Sequence, residues 1–111
     1  MTKQEIYDEE LQKLTEIFET VDESKRILVN GLIKDAAFLK SENETMKIIM
    51  KNTGMVKIHS EKQELQKILP IATQYLKSVN SYATVIKTLN GILTKNIIEV
   101  DDDFDEFMNG E

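Results

Sequence analysis

A stripe of large apolar residues that follows the chain's single proline, Pro70, limits the possible folds more than any other sequence feature. Proline suits the first turn of a helix, where no N–H is needed, whereas an interior proline costs ~3 kcal/mol. The stripe recurs at intervals close to 3.5 residues, the period of helices that pack nearly parallel. It consists of Ile71, Tyr75, Val79, Tyr82, Ile86, Leu89 and Leu93. We therefore predict a helix over about 70–94, and we expect the stripe from Tyr75 to Leu93 to form the seam of an oligomer.

Two further helices are predicted before Pro70. The first, over about 3–20, has an apolar stripe with polar residues such as Glu10 expected to face solvent. This stripe consists of Tyr7, Leu11, Leu14, Phe18 and Val21. The second, over about 22–52, begins at the candidate N-cap Asp22. Its apolar stripe consists of Leu28, Leu32, Ala36, Leu39, Met46 and Met50.

The middle of the second helix and the segment after it each allow two interpretations. Asn43 lies on the apolar stripe, where a polar residue can set the register of packed helices; alternatively, residues 41–44 mark a break. Gly54 indicates a helix stop. Residues 55–59 then alternate apolar and polar side chains, which favours a short extended arm or hairpin, whereas residues 60–63 could instead cap a short helix. The predicted fold is all-α, with three main helices and an irregular or short extended arm at 55–69.

Charge is distributed unevenly along the 111 residues, whose formal net charge is −6. Residues 1–23 and 99–111 are strongly acidic, whereas residues 24–98 carry twelve basic and five acidic residues. A basic middle can neutralise phosphates without reading base sequence, although these lysines could also simply solvate helix faces. The lone histidine is either an ordinary exposed residue or a phosphate contact. The candidate nucleic-acid-binding residues are Lys47, Lys51, Lys57, His59, Lys62 and Lys67.

The last thirteen residues differ from the rest of the chain. Residues 99–111 contain seven acids and no base, so this segment repels itself and has little to bury. We predict a helical assembly and DNA-binding domain over 1–98, followed by a disordered acidic tail that binds a protein partner. The candidate partner-binding residues are Phe104, Asp105, Glu106, Phe107 and Met108.

No set of residues predicts catalysis, a cofactor or a metal site. With one histidine and no cysteine, nucleophilic triads and thiolate metal sites have no support. Residues 101–105 lack the central glycine and the distal glutamate of a calcium loop. No apolar run reaches the ~18 residues of a membrane span, and the N-terminus does not resemble a targeting peptide. We therefore expect a protein that is not an enzyme and has no membrane partner.

Several segments, in order, resemble the small terminase subunit of tailed phages that infect Gram-positive bacteria. The first two are residues 17–25 (IFETVDESK) and residues 32–39 (LIKDAAFL). The glycine-led connection at 54–57 (GMVK), the last long helix with residues 82–93 (YATVIKTLNGIL) and the acidic end at 102–107 (DDFDEF) are also similar to that family. The likeness covers most of residues 17–108. Its motifs are structural patterns and contain no catalytic set.

The resemblance implies a non-catalytic subunit that forms a ring, recognises double-stranded viral DNA and regulates the large terminase subunit. The large subunit carries the ATPase and nuclease, and the acidic tail would recruit it. The expected location is the cytoplasm of the bacterial host. An alternative is an acidic helical protein–protein interaction module, such as a phage-encoded inhibitor or adaptor of a host factor. A mimic of DNA would spread its carboxylates over the folded surface, whereas here they cluster at the two ends.

Overall fold

Three helices and one small hairpin make up the fold. The computed structural model describes the backbone of residues 1–109 and the side chains of residues 1–97. The elements, in order, are α1 (Lys3–Ile17), α2 (Glu23–Thr53), β1 (Val56–Ile58), β2 (Gln66–Ile68) and α3 (Pro70–Asn109). The all-α prediction is confirmed. Pro70 begins α3 as expected, and the segment at 55–69 takes the extended, hairpin interpretation rather than the short helix.

Helix α1 is fixed at its start by a reciprocal capping box. The Thr2 hydroxyl accepts a hydrogen bond from the Glu5 N–H at 3.1 Å, and the Thr2 N–H donates to Glu5 Oε1 at 3.3 Å. The helix ends at Ile17 rather than near residue 20. The Phe18 N–H is shared between the Leu14 and Thr15 carbonyls, both at 3.2 Å, and this sharing is typical of the tightened last turn of a helix.

Helix α2 is continuous through residues 41–44, so the alternative of a break there is wrong. Two hydroxyl side chains at and beside this stretch bond to carbonyls of their own helix. Ser41 Oγ donates to the Phe38 carbonyl and Thr45 Oγ1 to the Ser41 carbonyl, both at 2.8 Å. Asp22 occupies the N-cap as predicted, but its side chain makes no capping hydrogen bond. Gly54 ends the helix. Its φ is positive, 71°, as expected of glycine, and its ψ is extended at −175°.

The core lies where α2 packs against both α1 and α3. Its buried residues are Leu14, Phe18, Val21, Val29, Ile33, Ala36 and Leu89. The predicted stripe of α2 was misplaced at its start, since Leu28 is 77% exposed and Val29 only 1%. Over its length an ordinary helix follows a 3.6-residue period, so a heptad pattern drifts around its surface. Asn43 is buried as its stripe position suggested. Its Oδ1 has no hydrogen-bond partner among the described residues.

The molecule is long and thin. Its radius of gyration is 20.4 Å and its principal extents are 80 × 29 × 17 Å, whereas a compact chain near this length has a radius of gyration of about 13 Å. Helix α3 passes the expected end near residue 94 and continues to Asn109. Residues 99–109 therefore continue α3, and the disorder expected of this acidic segment by itself stays a prediction. Extending an existing helix requires no new nucleation, so the acidic segment can continue it.

Candidate nucleic-acid interface

The most distinctive surface is the hairpin between α2 and α3. Strands β1 and β2 pair antiparallel, with Val56 opposite Ile68, Lys57 opposite Lys67 and Ile58 opposite Gln66. Backbone bonds continue the ladder at both ends: the Leu69 N–H donates to the Met55 carbonyl at 3.0 Å, and the His59 N–H to the Leu65 carbonyl at 2.9 Å. Every residue from 51 to 68 is exposed. The hairpin therefore projects from the helices and does not pack into their core.

This register divides the hairpin into two faces, because successive side chains of a strand point to opposite sides. Lys57 and Lys67 share one side, which we call the lysine face. The opposite side carries Val56, Ile58, Gln66 and Ile68, and we call it the uncharged face. Directly opposite residues have Cβ atoms about 4.5–5.5 Å apart, and like charges placed this way are destabilising. The two lysines therefore concentrate positive charge at one point.

A shallow cavity of about 330 Å³ lies beside the two opposed lysines, and one residue of the uncharged face, Gln66, also lines it. Its lining is Lys57, His59, Glu64, Leu65, Gln66 and Lys67. Among the residues with described side chains, neither Lys57 nor Lys67 forms an ion pair. Two unpaired ammonium groups beside one carboxylate leave a net positive cavity, which suits an anion such as a phosphate.

His59 has a structural role that the sequence did not reveal. Its Nδ1 accepts hydrogen bonds from the backbone N–H groups of Glu61 at 3.2 Å and Lys62 at 3.1 Å. The ring thereby holds the turn between the strands. The sequence analysis interpreted His59 either as an ordinary exposed residue or as a phosphate contact. Neither interpretation included a role in the turn.

The six predicted nucleic-acid-binding residues fall into two groups. The hairpin carries Lys57, His59, Lys62 and Lys67, whereas Lys47 and Lys51 belong to α2. Lys51 lines a groove between α2 and α1. Lys47 Nζ lies 2.9 Å from Glu44 Oε1, and this hydrogen-bonded pair lowers the pKa of Glu44 and raises that of Lys47. Lys47 is thus partly neutralised within the protein, which favours the hairpin as the phosphate-binding group.

The predicted oligomer seam packs within the protein. Leu89 is 2% exposed, and Tyr82, Ile86 and Leu93 pack half-buried against the same core. Tyr75 and Val79, nearer the start of α3, are also half-buried. The stripe therefore joins α3 to the other helices of one chain, and its use in self-association stays a prediction. The predicted partner-binding residues, 104–108, lie outside the residues with described side chains.

One buried contact between α1 and α3 contradicts the sequence analysis. Glu10, expected to face solvent, is 3% exposed. Its Oε2 accepts a hydrogen bond from the Tyr82 hydroxyl at 2.9 Å, and Lys13 Nζ lies 2.6 Å from Oε1 as an ion pair without hydrogen-bond geometry. Burial first, and then the bond to Glu10, raise the pKa of Tyr82 well above its usual range. Lys40 Nζ lies 5.8 Å from the centre of the Tyr82 ring, within cation–π distance.

The described residues offer neither a metal cluster nor a membrane span. Over the part of the chain with described side chains, no group of three or more metal-ligating residues comes together. No helix in the described part is both long and apolar enough to cross a membrane.

Comparisons with known proteins give no relative. No family model, no curated protein and no solved structure matches this chain.

Proposed function

We propose that the chain is a non-catalytic DNA-recognition and regulatory subunit of a phage DNA-packaging terminase. It binds double-stranded viral DNA through the hairpin, assembles into a ring, and recruits or regulates the large ATPase/nuclease subunit through its C-terminal segment. It acts in the cytoplasm of the bacterial host. The observation that carries the proposal is the position of Lys57 directly opposite Lys67 on a projecting hairpin.

The lysine face fits the DNA backbone better than it fits base edges. Lysine is a flexible point charge that neutralises phosphates, whereas bidentate reading of guanine favours arginine. The hairpin contains no arginine. A phosphate placed between Lys57 and Lys67 also relieves the repulsion between them. The expected binding is therefore strong in low salt and largely independent of base sequence.

The shape and surface of the protein support self-assembly. An elongated chain of 111 residues buries less of its surface than a compact one. Large apolar side chains remain exposed along α2 and the hairpin, including Ile27 at 73%, Leu28 at 77% and Phe38 at 55%. Exposed apolar side chains that lie together on a surface are typical of proteins that bind other chains. Repetition of the lysine face around a ring would multiply its weak attraction for DNA.

The DNA contact is tested by removing the two opposed charges. We expect the double variant Lys57→Gln/Lys67→Gln to bind double-stranded DNA more weakly. The slope of log K against log salt should fall by about 2 per bound chain, because each phosphate contact contributes about 0.9. The measurement is a fluorescence-anisotropy titration with a labelled duplex at several salt concentrations.

The matched control is Lys77→Gln/Lys87→Gln, which removes the same charge from exposed positions on α3. It should leave the slope nearly unchanged. Equal losses in the two double variants would show that only total charge matters, and an unchanged slope in Lys57→Gln/Lys67→Gln would remove the hairpin from the DNA contact.

The partner contact is tested by truncation after residue 98. The removed segment carries seven acids and no base, so its loss should leave the helical content per residue and the oligomer size intact. Binding to the large terminase subunit should be abolished, as measured by co-purification with a tagged large subunit. Loss of folding, or unchanged binding, would contradict the assignment of this segment as the docking element.

A further inference from the structure

The proposed DNA contact leaves the uncharged face of the hairpin without a role. This face carries Val56, Ile58, Gln66 and Ile68. Its three apolar side chains are exposed: Val56 by 40%, Ile58 by 55% and Ile68 by 51%. None of the four side chains is charged. The lysine face, on the opposite side, carries one lysine in each strand, next in sequence to these residues. The hairpin is therefore amphipathic, with an apolar side that is open to solvent.

A hairpin of this size does not hold its structure unaided. Each strand has three residues, and all six are exposed. The two strands pack mainly against each other and not against the helices. A lone two-stranded hairpin is marginal in water, and it needs a further strand or an apolar surface against one face to become stable. The opposed lysines weaken it further. Its uncharged face is the side that can accept such a stabilising surface.

We propose that the uncharged face packs against the same face of the hairpin in other copies of this chain. Charge decides the choice of face and of partner. Two uncharged faces can meet without burying an ionised group, whereas two lysine faces would bring four ammonium groups together. In a closed ring every copy presents the same surface to the central axis, so uncharged faces that point toward that axis lie together. This inference rests on the self-assembly that forms part of the proposed function.

The arrangement fixes the side from which DNA approaches. Lys57 and Lys67 point away from Val56, Ile58 and Ile68 on every hairpin. When the uncharged faces gather around an axis, every lysine pair therefore lies on the outside of the hairpin cluster. DNA follows this outer surface, and the contacts for assembly and for DNA use opposite faces of the same element without competing.

The chain has no cysteine, so a single introduced thiol can report which face meets another copy. Ile58→Cys places the thiol on the uncharged face. Lys57→Cys places it at the neighbouring position, on the lysine face. Sheets packed face to face lie about 10 Å apart, a distance that a short bismaleimide can span. We expect covalent dimers to form several-fold more for Ile58→Cys than for Lys57→Cys. Val56→Cys serves as a second uncharged-face variant in case Ile58→Cys weakens association.

Light scattering and far-UV circular dichroism on all variants separate the possible outcomes. Oligomers that cross-link at Lys57→Cys as readily as at both uncharged-face positions would overturn the inference while leaving self-assembly intact. Folded but monomeric protein, including the unmodified chain, would overturn the proposed assembly together with this inference.

Discussion

The helical body and the hairpin are built on opposite principles. In the body, α2 buries apolar side chains against α1 and α3, and Val29, Ile33 and Leu89 are each no more than 2% exposed. In the hairpin every residue is exposed, and two like charges stand opposite each other. The body is stabilised by its own packing, whereas the hairpin presents groups that an external partner would stabilise. The difference indicates where mutations should affect folding and where they should affect binding.

The largest effect should come from the core. Leu89→Ala removes a buried side chain at the point where α3 meets the core cluster, so the free energy of unfolding should fall by about 2–5 kcal/mol. Chemical denaturation followed by circular dichroism, at one fixed protein concentration, measures it. Leu65→Ala, on the exposed hairpin, should change the same quantity by less than about 0.5 kcal/mol. Similar losses at both positions would break the distinction between body and hairpin.

An intermediate effect is expected at the bond between α1 and α3. Tyr82→Phe removes the hydroxyl that donates to Glu10 and leaves a buried carboxylate oxygen without that donor. The expected loss is about 1–3 kcal/mol, the usual cost of a buried group that loses its partner.

The control for this bond is Tyr75→Phe, which alters a half-buried tyrosine on the same helix. Among the residues with described side chains, Tyr75 has no hydrogen-bond partner. Thermal unfolding of the two variants compares them directly. If both melt at the same temperature, the Glu10–Tyr82 bond contributes nothing to the stability of the body.

The smallest effect is expected at the ion pair between Glu44 and Lys47 within α2. The hydrogen bond from Lys47 lowers the pKa of Glu44 below its ordinary value in the folded protein. A lowered folded pKa stabilises the protein above the unfolded pKa, and that stabilisation is lost as pH falls through the folded value. Glu44→Gln should therefore cost up to about 0.5 kcal/mol near neutral pH, because partly exposed pairs contribute little.

Acid removes this difference between the two proteins. As the pH falls through the lowered folded pKa of Glu44, the unmodified protein and Glu44→Gln should approach equal stability, because the carboxylate becomes protonated. Urea denaturation across this pH range provides the measurement. A difference that grows as the pH falls would contradict the assigned sign.

The elements of the body were predictable because their signals are local. Pro70 marked the start of α3, Gly54 the end of α2, and the apolar spacing of Leu14 and Phe18 the buried side of α1. The length of α3 was not predictable in this way. The acidic residues beyond 94 contain no helix stop signal, and only their mutual repulsion argued against a helix. The sequence analysis also chose Leu28 instead of Val29 as the buried residue. Both are apolar, and the packing of α1 and α3 determines which one is covered.

Contacts between distant residues account for the other differences. Nothing near Glu10 in the sequence distinguishes it from its exposed neighbours. Its burial depends on Tyr82, which lies 72 residues further along the chain. In the hairpin, alternation predicted an extended arm, but the register that sets Lys57 opposite Lys67 requires knowledge of the turn. That turn is closed by His59 through two backbone N–H groups, a bond pattern that has no signature in residue spacing.

The elongated form of the protein has a hydrodynamic consequence. A particle with extents of 80 × 29 × 17 Å experiences more friction than a sphere of the same mass. A single copy should therefore diffuse slowly and leave a gel-filtration column ahead of compact 12.8 kDa standards. Elution position alone would exaggerate its mass, whereas sedimentation combined with light scattering distinguishes one slender chain from a true assembly.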